Sequence, residues 1–119
     1  MNALGRKGMM MNEQLNLFWL IESPDINDIP EEQAVRIVGD RLGIRFKYNT
    51  FFERYEAKKG KMTMALSYGR FFPEVFDGRL FLGADYQITN SGGFTGGSSP
   101  CDGIDEATRY LERAMREWT

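Results

Sequence analysis

The chain has 119 residues, enough for one hydrophobic core and too few for two ordinary domains. Its content, 42% hydrophobic and 13% aromatic, supports a packed core, while no apolar run approaches the ~20 residues that a membrane-spanning helix needs. A net charge of −2 comes with no histidine and one cysteine, which removes the usual general base, the Ser-His and Cys-His nucleophile pairs, imidazole metal sites and any internal disulfide.

Gly5-Arg6-Lys7-Gly8 precedes Met9, Met10 and Met11, and purine-rich codons for such residues resemble a bacterial ribosome-binding site. Residues 1–10 are therefore expected to be a floppy N-terminal arm or to precede the true start, with a single α+β domain over residues 11–119. Asp28-Ile29-Pro30-Glu31-Glu32 has the signature of a helix start, with Asp28 or Ile29 near the cap and Pro30 in the first turn. That helix should end near Gly43, and Ala34, Ile37, Val38 and Leu42 mark its buried face.

The period then changes to alternation. Ile44, Phe46, Tyr48, Thr50 and Phe52 share one side of an expected first strand, and Lys58-Lys59-Gly60-Lys61 makes a hairpin turn. Met62, Met64, Leu66 and Tyr68 line a second strand, and Leu80, Leu82, Ala84, Tyr86 and Ile88 a third, with Phe81, Gly83, Asp85 and Gln87 facing outward. Residues 91–99 contain four glycines and are expected to be a mobile loop. A last helix should begin after Pro100, with Asp105 completing a capping box and Ile104, Ala107, Leu111, Met115 and Trp118 forming its apolar stripe. The expected fold is α+β in the order α-β-β-β-α, a three-stranded antiparallel meander with two helices packed on one face.

Candidate chemistry is sparse, and a non-enzymatic protein without cofactor or metal is expected. Carboxylates at Glu53, Glu74, Asp77 and Asp85 could serve a metal-dependent reaction but form no motif. Cys101 at a helix start could be a reactive thiolate or a small buried residue. Charge patterning is more informative, because Arg36, Arg41, Arg45, Lys47, Arg54, Lys58, Lys59, Lys61 and Arg70 face only Asp40, Glu53 and Glu56 in the same stretch. Arg45, Lys47, Phe51 and Tyr55 are expected on the strand face away from the core, with Lys58, Lys59 and Lys61 at the hairpin, a combination that can hold phosphates and stack bases.

The sharpest short motif is Gln14-Leu15-Asn16-Leu17-Phe18. It resembles the bacterial sliding-clamp-binding pentapeptide, whose usual form is glutamine, leucine, a small polar or acidic residue, leucine and phenylalanine. Gln14, Leu15, Leu17 and Phe18 match, and Asn16 departs from the commoner serine or aspartate. The resemblance implies an extended peptide docked on a clamp, with Leu17 and Phe18 as hydrophobic anchors. The same apolar residues would also suit a core segment. The sequence thus points to a small cytoplasmic adaptor or inhibitor of bacterial or phage type, with a sliding clamp or another replication or defence protein as partner. A nucleic-acid-binding module and a carboxylate-metal enzyme are the alternatives.

Overall fold

A computed structural model describes residues 23–72, 74, 77–90 and 93–118. After a 3₁₀ turn at Ile26–Asp28, helix α1 (Glu31–Leu42) leads into five strands, β1 (Lys47–Asn49), β2 (Arg54–Lys59), β3 (Met62–Arg70), β4 (Leu80–Asn90) and β5 (Gly93–Cys101), followed by helix α2 (Ile104–Trp118). All neighbouring strands are antiparallel and lie in sequence order, so the sheet is a simple meander. The α+β class holds, but the sheet has five strands where three were expected.

Two local causes account for the extra strands. Asn49 accepts backbone N–H bonds from Phe51 and Phe52 at 2.9 and 3.2 Å, an Asx turn that folds the expected first strand into β1 and β2. From Gly93 on, the glycine tract expected as a loop is instead β5, paired with β4 from Asn90↔Gly93 to Leu82↔Cys101. Gly96 and Gly97 are needed for close approach. A Cβ on Gly97 would lie 2.6 Å from Tyr110 Oη and 2.9 Å from the Tyr86 ring, and one on Gly96 would collide with the Tyr86 carbonyl oxygen.

Register sets the two faces. Rows such as Tyr55↔Leu66↔Ala84↔Ser99 and Ala57↔Met64↔Tyr86 point toward the helices. There Met62, Met64, Leu66, Leu82, Ala84, Ile88 and Cys101 meet Ala34, Val35 and Val38 of α1 and Ile104, Ala107, Leu111 and Ala114 of α2. The alternation read for the second and third strands agrees with this core. On α1, Ile37 and Leu42 are only partly buried, while Val35 and Gly39 join Ala34 and Val38 inside.

The helix ends differ in detail from expectation. Pro30 itself stands at the N-cap, where its missing N–H costs nothing, and Gly43 closes α1 in the left-handed region at φ 73° with its N–H on Gly39. At α2 the carboxylate of Glu106, not Asp105, accepts the Asp102 N–H at 2.8 Å. Asp105 instead bonds Arg41 of α1 at 2.5 Å and the Ser23 hydroxyl at 2.6 Å, joining the two helices. Trp118, expected in the stripe, is 46% exposed: it is the last residue of α2 and lies outside the core cluster, whose buried helix positions end at Ala114.

Tyr68 ties the start of the domain to the sheet. Its hydroxyl lies 3.2 Å from the Ile26 carbonyl and 3.0 Å from that of Ile29, and its N–H donates to Glu31 at 2.8 Å. On the face away from the helices Phe81 lies over Gly69, its cross-strand partner, and against Phe71 at a centroid distance of 4.7 Å.

Candidate functional site

The β1–β2 turn carries the largest departure from ordinary surface composition. Phe51 is 83% exposed, Phe52 58% and Tyr48 49%, three large aromatics within one short hairpin. The hairpin is braced from inside. Besides holding the Phe51 and Phe52 amides, Asn49 donates through Nδ2 to Glu56 at 3.0 Å, and Glu53 completes the turn at φ 55°.

Ring contacts fix the aromatics further. Phe51 and Phe52 meet edge to face at 4.8 Å, Tyr48 meets Tyr55 at 5.0 Å, and the Arg54 guanidinium sits 5.2 Å above the Phe52 ring. The tip therefore presents apolar surface in a preset arrangement, not as a loose loop.

The structure redistributes the expected basic and aromatic set. Tyr55 pairs with Leu66 and lies on the helix side, half-buried against the core, where burial pushes its hydroxyl above the ordinary tyrosine value. Phe51 sits in the turn and belongs to no strand. The expected face of Arg45, Lys47, Phe51 and Tyr55 therefore does not exist as one surface, since the Asx turn breaks the alternation that implied it. Lys59 closes the helix side of β2 opposite Met62, and Lys61 occupies the β2–β3 turn.

Three of the predicted cations do converge. Arg45, Lys47 and Lys58 border a shallow groove of about 540 Å³ along the β1–β2 edge, together with Tyr48 and Asn49. Glu56 lies in the same groove, and hydrogen bonds from Asn49 and Arg54, with Arg54's charge, hold its carboxyl below the usual range against the effect of burial. A second groove of about 660 Å³ lies between α1 and the chain leading into β1, lined by Val35, Gly39, Phe46 and Tyr55 among others.

The open sheet face is polar and internally matched. Arg54 bridges Glu56 at 2.7 Å and Asp85 at 3.3 Å, and Asp85 also accepts from Ser98 at 2.7 Å. Asp85 is thus committed to a cation and a hydroxyl, Glu53 lies in the turn, and among the described residues no group of carboxylates or cysteine could hold a metal ion. Cys101 is buried, and burial pushes its thiol up to about 11, which suits a packing residue and not a nucleophile.

Residues 14–18, with Gln14, Leu15, Leu17 and Phe18, lie outside the described residues. Sequence reasoning missed Tyr48 and Phe52 as exposed aromatics; Tyr48 does lie on the helix side that alternation gave it, opposite Tyr55, but is 49% exposed. The signal that could have found them is Asn49 two and three residues before a Phe-Phe pair, the spacing of an Asx turn. The chain matches no protein-family model, no curated protein and no solved structure.

Proposed function

We propose that this chain is a small non-enzymatic protein-binding module, an adaptor or inhibitor, that docks through the aromatic tip of its β1–β2 hairpin. The observation that carries this reading is the exposure of Phe51, Phe52 and Tyr48 on a turn held by Asn49. Large aromatics on a braced support lose little conformational freedom on binding and are the side chains that dominate protein interfaces. The clamp-like peptide at residues 14–18 supplies a second address, through which the same protein would engage a sliding clamp or another replication or defence protein.

The test compares the wild-type chain with a Phe51→Ser, Phe52→Ser double variant as baits in a bacterial lysate. Both positions are exposed and the variant removes only their mutual ring contact and the Arg54 contact, so it should lose no more than about 1–2 kcal/mol of stability and yet lose a captured protein. A captured set unchanged by the double substitution rejects the tip as the docking surface. Purified clamp with a Leu17→Ala, Phe18→Ala variant tests the peptide separately, and equal clamp binding by both chains would remove that address.

A nucleic-acid partner is the second reading, favoured by one observation. Arg45, Lys47, Lys58, Lys59 and Lys61 form no ion pair among the described residues. Binding of that kind would fall steeply with salt, because each phosphate contact releases counterions.

A further inference from the structure

The cations of the β1–β2 edge differ from Arg36, Arg41 and Arg54. Arg36 has Glu32 at 3.6 Å, Arg41 has Asp105, and Arg54 has Glu56 and Asp85. Arg45, Lys47 and Lys58 have no such carboxylate among the described residues, although they border one groove. These three cations share the groove with one carboxylate, Glu56, the cross-strand partner of Lys47, so an excess of positive charge remains there that a complementary anion relieves. β1 is also an edge strand. It pairs only with β2, so among the described residues its outer backbone groups are open to an added strand.

We infer that the partner segment taken by this surface is an extended acidic peptide lying along the outer edge of β1, with its carboxylates on Arg45, Lys47 and Lys58 and an apolar side chain against Tyr48 and Phe51. This inference rests on the protein-binding reading above and specifies its partner chemistry.

A nucleic-acid strand fits less well for two reasons. The Phe51 and Phe52 rings stand at 85° to each other, and Arg54 covers one face of Phe52, so they offer no parallel platform for successive bases. The whole chain carries a net charge of −2, so its long-range field does not gather a polyanion, while the local patch suits a short acidic segment.

The experiment uses the full chain and three labelled probes followed by fluorescence anisotropy: a short peptide alternating glutamate and valine, its lysine-for-glutamate counterpart, and oligothymidylate. The acidic peptide should bind alone of the three, more weakly at high salt. A Lys47→Glu, Lys58→Glu variant should lose at least about tenfold in affinity, whereas Arg113→Glu, Arg116→Glu on α2, with the same change in net charge, should keep it. Circular dichroism melts establish that both variants are folded, and a Lys47→Ala, Lys58→Ala pair replaces the charge reversal if it is not. Absent acidic-peptide binding, oligothymidylate binding as tight or tighter, or an equal loss in the α2 variant would each overturn the inference. If the lysate capture still depends on Phe51 and Phe52 in that event, the protein-binding reading survives and only the acidic partner falls; if that dependence is also missing, both fail.

Discussion

Gly97 lies under two tyrosine rings, and its lack of a side chain is what allows β5 to pass there. Gly97→Ala should destabilise the protein by about 1–3 kcal/mol, because the new methyl meets Tyr110 Oη and the Tyr86 ring. Chemical denaturation measures this, and a neutral result would mean that the rings move aside freely. Cys101 gives a prediction with a definite sign. Burial raises its thiol from 9.0 to about 11 in the fold, so between those values the unfolded chain ionises while the folded chain does not. Stability should therefore fall as pH rises through that window, and Cys101→Ala should remove part of the fall in melts taken across it. The composition of residues 91–99 was readable, but its meaning was not. Glycine lowers strand propensity, and only the Tyr86 and Tyr110 side chains over Gly97 and the Tyr86 carbonyl beside Gly96 turn two of these glycines into a packing requirement.

At the scale of elements, two contacts decide how pieces join. Asp105 links α2 to Arg41, whose side chain is only 3% exposed, and to Ser23. Burial raises the Asp105 carboxyl, but the bonds from Ser23 and Arg41 outweigh it and leave the group below the ordinary aspartate value of 3.8. Its stabilisation is then present above that value and lost as pH falls through the depressed one. Asp105→Asn should cost on the order of 1–3 kcal/mol near neutral pH, and the two proteins should converge in acid. Stability curves that stay parallel down to strongly acidic pH would contradict the assignment.

Asn49 is the corresponding device in the β1–β2 hairpin. Asn49→Ala removes three hydrogen bonds at an edge of the sheet, so it should cost about 1 kcal/mol in global stability. Partner capture should suffer more than melting temperature, because the aromatic tip loses its preset shape. Both helices were legible from local signals, a proline start, a glycine stop and three-and-four spacing. The Arg41–Asp105 link was not, since it joins residues 64 apart and no local pattern encodes it.

For the molecule as a whole, the meander predicts a gradient of protection. β3 and β4 are each paired on both sides and covered by the helices, whereas β1 is three residues long and paired on one side. Amides in the centres of β3 and β4 should exchange with solvent only through global unfolding, and those of β1 and residues 50–53 through local opening. Hydrogen exchange followed by mass spectrometry checks this, and uniform protection would show that the hairpin is more firmly held than its pairing suggests. A loosely held but pre-shaped edge is also what a docking hairpin needs, since an added strand would protect β1 and leave β3 and β4 unchanged.

The sequence by itself determined the α+β class, the two helices among the described residues, and the inward faces of β3 and β4, and it contains no histidine. Each of these depends on local periodicity or on composition, which are properties of neighbouring residues. Tertiary structure decided the strand count, the placement of Tyr55 on the helix side, the exposure of Tyr48 and Phe52, and the meeting of Arg45, Lys47 and Lys58. Those depend on register, and register follows from where the chain turns. A single side-chain oxygen on Asn49 turns it after β1 and changes which neighbours every later residue of the hairpin meets.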